Sequence, residues 1–136
     1  MINPLQMTGK TVLVTGGGSG IGKATACLLS QLGARVVVAG REVAKLHIVV
    51  EVLEGTGHKA VSVDLARCEG ISTWMRQLAN EIGPLDGVVH CAGVQKVAPI
   101  KIVSQAGIEN MMRINLYAAI GLAQGLSRIH AIGVRI

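Results

Sequence analysis

Two periods of apolar residues alternate along the chain. A short unbroken run, Thr11-Val12-Leu13-Val14-Thr15, gives way to glycines, after which Ile21, Ala24, Leu28 and Leu32 recur at helical spacing until Gly33. Ala34 to Ala39 reads as a second strand closed by Gly40. Residues 42–54 read as a second helix, with Leu46, Val50 and Leu53 on one face, against the local preference of Ile48-Val49-Val50. Lys59 to Val63 is a third strand ending at Asp64. Ile71, Trp74, Met75, Leu78 and Ile82 then mark an amphipathic helix that Gly83-Pro84 terminates. Leu85 to Ala92 is a fourth strand, and Ile108, Met111, Met112, Leu116, Ala119, Leu122 and Ala123 trace a long helix. Ser127 to Ile136 could finish that helix or begin another strand.

This β-α-β-α-β-α-β-α order with short links predicts an α/β fold, a doubly wound parallel sheet with helices on both faces and right-handed crossovers. Residues 1–136 read as a single, incomplete domain that stops after the fourth strand and its following helix. The strands are nearly continuous aliphatic runs, as in a sheet covered on both sides. Trp74 and Tyr117 are the only aromatics.

Composition narrows the function classes. The formal net charge is +5, and the segment from Lys96 onward holds five basic residues against Glu109 alone. These are scattered singly through apolar sequence and read as a solvated face, so no nucleic-acid partner is expected. No apolar run approaches the length of a membrane span, and the first ten residues lack the apolar stretch of a signal peptide. Cys27, Cys68 and Cys91 form no CxxC and share no histidine at metal-binding spacing. They read as reduced thiols of a soluble, cytoplasmic protein with no metal site.

The chemistry concentrates in Thr15-Gly16-Gly17-Gly18-Ser19-Gly20-Ile21-Gly22, between the first strand and the first helix. Gly16 permits a tight turn, Gly20 lets the backbone approach a pyrophosphate, and Gly22 lets the helix pack closely. The helix N-terminus offers unpaired N–H groups and a partial positive charge to phosphates. A ligand-free turn would not need so many glycines. A nucleotide-hydrolase phosphate loop would fit Gly17-x4-Gly22-Lys23, but the next residue must carry the magnesium-binding hydroxyl and is Ala24. Thr25 lies about 100° further round the helix.

The spacing TGxxxGIG resembles the short-chain dehydrogenase/reductase family. Gly40-Arg41 after strand two, Asp64-Leu65 after strand three and His90-Cys91-Ala92-Gly93 after strand four follow in the family's order, with Asn115 in the long helix. The resemblance covers residues 8–127 and implies a Rossmann-like fold binding a nicotinamide dinucleotide. It implies that Gly16, Ser19, Gly20, Ile21 and Gly22 wrap the pyrophosphate and that Arg41 meets the adenosine ribose. Asp64 and Leu65 would border the adenine, while Ala92 and Gly93 would bring strand four's backbone to the cofactor. His90 and Cys91 depart from the family's usual asparagines, and His90 reads as a hydrogen-bonded histidine at a strand end.

NADP(H) is the expected cofactor, with NAD(H) as the other that the site could take. No acid ends strand two before Glu42, and Arg41 is placed to pair with a 2′-phosphate, although Ser19 supplies no second cation. The resemblance implies hydride transfer between nicotinamide and a small carbonyl or alcohol, using a Ser and a Tyr-x-x-x-Lys. Tyr117 is followed four places on by Gly121, so that motif is absent. Asn115 remains as the remnant of a proton relay whose lysine is missing. The expectation is a cofactor-binding part, inactive alone and prone to self-association or homo-oligomer formation. The other readings are a non-catalytic nucleotide-binding or interaction module and a defective remnant.

Overall fold

The computed structural model describes residues 2–133. Four strands, β1 (Thr11–Thr15), β2 (Arg35–Gly40), β3 (Lys59–Ser62) and β4 (Gly87–His90), form one parallel sheet in the order β3-β2-β1-β4. The helices are α1 (Gly20–Gln31), α2 (Val43–Val52), α3 (Ile71–Ile82), α4 (Gln105–Met112) and α5 (Ala118–Gly133). A π-helical turn, Arg113–Tyr117, joins the last two.

Strand alternation sends successive side chains to opposite faces. Val12, Val14, Val36 and Val38 pack with Ala26, Leu46, Val49 and Leu53 from the α1–α2 side. Leu13, Val37 and Ala39 pack with Leu65, Ile71, Met75, Leu78, Ala118 and Leu122 on the other side. β1 and β2 are buried on both faces, which their unbroken aliphatic runs predicted. Each such side chain contributes about 1.5–3 kcal/mol on burial.

Three helix faces differ from the sequence expectation. In α1 the stripe Ile21, Ala24, Leu28 is the outer one, with Ile21 79% and Leu28 55% exposed, while Gly22, Ala26 and Ser30 face the sheet. The reason is steric: a Cβ at position 22 would run into the Gly16 carbonyl, so the helix docks on its small side. In α2 the buried pair is Leu46 and Val49, not Val50, with Leu53 completing the i, i+3, i+7 stripe just past the helix. The long helix buries Ile114, Ala118 and Leu122, and of the predicted stripe only Leu122 is fully buried. A π-turn adds a residue and rotates the downstream face by about 100°, a shift that uniform 3.6 spacing does not foresee.

β4 ends at His90, earlier than the expected Ala92. The Cys91 amide still donates to the Thr15 carbonyl at 3.1 Å, after which the backbone turns away from the sheet. Residues 127–133 continue α5, so the strand alternative is excluded there, and residues 134–136 lie outside the described residues. Among the described residues no helix is long and apolar enough to cross a membrane.

Candidate dinucleotide site

The sheet order places a switch point between β1 and β4. From β1 the chain crosses to β2 on one side, and β4 lies on the other. Doubly wound sheets open a crevice beyond the strand C-termini at such a point. Here it is a cleft of about 350 Å³, and Gly16, Ser19, Gly20, Ile21, Gly22, Arg41, Asp64, Leu65, Ala92 and Gly93 all line it. Four segments separated in sequence thus converge on one cavity.

The first wall is made of backbone. Ser19 caps α1 without a side-chain hydrogen bond, and no acid occupies the first helical turn. Lys23 N donates to the Ser19 carbonyl at 3.1 Å, so the amides of Gly20, Ile21 and Gly22 precede the first intrahelical bond. Gly20, which lines the cleft, adopts φ +53°, and a Cβ built there meets only open space. The loop therefore leaves a cradle of amides in which a side chain would occupy the ligand's space. That fits a pyrophosphate.

Arg41 stands exposed at the rim between β2 and α2 and makes no ion pair among the described residues. Next to it, Lys45 Nζ donates to Glu42 Oε1 at 2.8 Å, and the Lys45 Cβ lies 3.4 Å from where a Cβ on Gly18 would sit. Both Glu42 and Lys45 line the cleft. Sequence reasoning passed over Lys45, although its position one turn after Arg41 on α2 was the available signal. Leu65 forms buried floor. Asp64 uses Oδ1 to accept from the Ala66 amide at 3.0 Å, and its Oδ2 lies 3.9 Å from Arg67 Nε.

The second wall is made of side-chain bonds. Thr15, fully buried at the end of β1, accepts from the Ala92 amide at 3.4 Å and lies 2.7 Å from His90 Nδ1. His90 Nε2 lies 3.2 Å from the Ile114 carbonyl, so the ring spans from β1 to the π-turn and is, as expected, a hydrogen-bonded strand-end histidine. Burial pushes the imidazole below its ordinary value, opposed in part by the Ile114 carbonyl. Asn115 sits behind this wall. Its Oδ1 accepts from the Val94 amide at 2.8 Å and its Nδ2 donates to the Val94 carbonyl at 2.9 Å, so both ends of the amide hold the loop after β4. On the outside of the π-turn, Arg113 donates to Glu69 at 2.8 Å. Among the described residues, no three His, Cys, Asp or Glu side chains group as metal ligands would.

A parallel sheet with a glycine-lined helix N-terminus at its switch point defines an α/β protein of the Rossmann-like class. Comparison with known proteins narrows the class. Residues 10–131 match the family model for short chain dehydrogenases, and the chain belongs to that family. It is 33% identical over 138 residues to versicolorin reductase 1 of Dothistroma septosporum, covering 99% of this chain and 52% of that enzyme. It is 35% identical over 124 residues to L-xylulose reductase of Mesocricetus auratus, covering 91% and 48%. Among solved structures, the citronellol catabolism dehydrogenase of Pseudomonas aeruginosa superposes with a TM-score of 0.83 at 32% identity, covering 94% of this chain and 53% of that one. A short-chain type dehydrogenase/reductase from Mycobacterium ulcerans gives 0.82 at 30%, covering 94% and 49%. The chain thus spans about half the length of these relatives.

Proposed function

We propose that this chain is the NADP(H)-binding part of a short-chain dehydrogenase/reductase-type oxidoreductase, a single incomplete domain in a cytoplasmic protein. The observation that carries the reading is the convergence of ten residues from four segments on one cleft beneath the free amides of α1. Those amides, with Ser19 and Ile21, would hold the pyrophosphate against the positive end of the helix. Arg41 would donate to a 2′-phosphate, and Asp64 would accept from the adenine amino group through Oδ2, which the Ala66 amide does not occupy. The backbone at Ala92 and Gly93 would bound the nicotinamide end. The bound cofactor supplies the hydride, exchanged in the whole protein with a small carbonyl or alcohol. The names of the relatives, reductases and dehydrogenases, support that reaction class.

Proton transfer needs an acid within hydrogen-bond reach of the substrate oxygen. Tyr117 is half-exposed on the π-turn and Gly121 follows it where a lysine would be needed. Asn115 is committed to Val94. The reading therefore assigns this chain cofactor binding without turnover. It also assigns it self-association, through the edge strand β4 and the exposed apolar row Ile108, Met112, Leu116 and Ile120.

Calorimetric titration tests the cofactor. NADPH should bind tighter than NADH by about ten- to a hundredfold, the equivalent of one charge-assisted hydrogen bond. Arg41→Ala should remove most of that ratio while sparing NADH, and NADPH oxidation with a panel of ketones and aldehydes should stay at background. Equal affinity for the two cofactors refutes the NADP(H) preference, and turnover refutes the assignment of binding alone.

A further inference from the structure

The ring of His90 bridges the end of β1 and the π-turn, beside the cleft. The Ile114 carbonyl can only accept, so Nε2, 3.2 Å away, must carry a hydrogen. A neutral ring has one such hydrogen, which leaves Nδ1 bare to accept from the Thr15 hydroxyl at 2.7 Å. Thr15 in turn accepts from the Ala92 amide. A single tautomer satisfies all three bonds, in a site where Thr15 has no exposed surface. Thr15 is the last residue before Gly16, and Ile114 is among the residues that line the cleft.

We propose that His90, held as the neutral Nε2-protonated tautomer, is a positioning residue that ties the root of the glycine loop to the π-turn, so that charging this ring strains the tie and weakens the cofactor-binding shape of the cleft. Adding a proton to Nδ1 sets an N–H against the hydrogen of the Thr15 hydroxyl. The hydroxyl must then turn its hydrogen away, so that Thr15 Oγ1 accepts from Nδ1 and the hydroxyl hydrogen is left without a partner in a closed interior. Burial disfavours the charged ring as well.

Among the described residues, no charged side chain on the surrounding elements contributes to the shift of the ring. On the π-turn, Arg113 is engaged with Glu69 and Cys68, and the neutral Asn115 with Val94. On α5, Arg128 donates to Ser72, and His130 is exposed near the helix end. On β4 and its flanks, Asp86 holds the Thr11 amide and Lys10, and Cys91 is the adjoining thiol. Asp64, across the cleft, is engaged with its own turn. The ring's protonation is therefore set by burial and its two partners.

The affinity arm of the test rests on the cofactor reading, and the other two arms do not. The comparison variant is His90→Asn, which restores the family's usual residue. Its amide can accept from Thr15 but is too short to reach Ile114. In the ¹⁵N-labelled full chain, His90 should show an unprotonated Nδ1 and a protonated Nε2, and should accept a second proton only below the range of a free imidazole. The folded state then binds fewer protons than the unfolded one. Wild-type melting temperature should accordingly fall relative to His90→Asn as pH drops below about 6.5. NADPH affinity, measured by calorimetry from pH 8 to 5, should fall about tenfold further in the wild type than in the variant, the effect of one unit of proton linkage. Comparing the two proteins cancels the titration of the cofactor's own phosphate. A protonated Nδ1, a mixture of tautomers, or a wild-type to variant affinity ratio that stays flat with pH overturns the proposal. If neither protein binds NADPH at any pH, the cofactor reading falls, and the tautomer and melting profiles decide the lock alone.

Discussion

The two walls of the cleft are built by different means. Within the wall from Gly16 to Gly22 the shape is set by backbone: glycines at positive φ, a helix start without a side-chain cap, and amides left free. The wall from His90 to Val94 holds its shape through side chains, with Thr15 bonded across 75 positions and Asn115 across 21. A backbone wall is rigid because few alternatives fit its geometry, and a Cβ added at Gly16, Gly17 or Gly22 would run into neighbouring atoms. A side-chain wall depends on individual bonds that can be removed one at a time. The two should therefore fail differently.

The largest effect is expected from Gly20→Ala. The left-handed conformation at φ +53° costs an alanine about 1–2 kcal/mol, visible as a lower midpoint in urea unfolding. The added Cβ also enters the space reserved for the pyrophosphate. That intrusion should weaken cofactor binding by about 1–3 kcal/mol, up to about a hundredfold. Unchanged affinity would mean that the ligand does not approach this amide cradle, and the contrast between the walls would lose its functional meaning.

Asn115→Ala sharpens the contrast from the other side. Losing both bonds to Val94 should destabilise the chain by about 1–2 kcal/mol and raise hydrogen exchange in the loop after β4. Residues 16–22 should keep their protection, because no bond from Asn115 reaches them. Loosening of the glycine loop in this variant would show that the walls are one cooperative unit.

The same difference explains what could be read in advance. The glycine loop is contiguous, Gly16, Gly17, Gly20 and Gly22 each answer a local steric or conformational demand, and so TGxxxGIG announced both the fold and the first wall. Arg41 and Asp64 were legible because they follow strand ends, where the fold delivers residues to the cleft. The inner face of α1 was not, because Gly22, Ala26 and Ser30 are small, and the apolar period instead followed the exposed Ile21 and Leu28. The π-turn was hidden because one inserted residue leaves no compositional mark. The pairing of His90 with Thr15 was hidden because nothing local links positions 75 apart, though its substitution for an asparagine marked the place.

The smallest effect concerns a third kind of contact, on the outside of the second wall. The π-turn is held inside by the His90 ring and outside by Arg113, which donates to Glu69 at 2.8 Å. The hydrogen bond from Arg113 holds the Glu69 carboxyl below its ordinary value, aided by its own backbone and by the guanidinium charge. A carboxylate with a lowered folded value adds stability above its unfolded range, near pH 4.3, and loses it as pH falls through the folded value. Both partners are exposed to solvent, so salt screens the pair and side-chain entropy offsets it. Glu69→Gln should therefore leave the melting temperature at pH 7 within experimental error in 0.15 M salt. Any difference should appear only at low ionic strength, and it should shrink as pH falls below about 4.3 through the lowered folded value. A clear loss at physiological salt would mean that the π-turn hangs from its outer ion pair, and the second wall would then owe its shape to charge as well as to the neutral bonds of Thr15, His90 and Asn115.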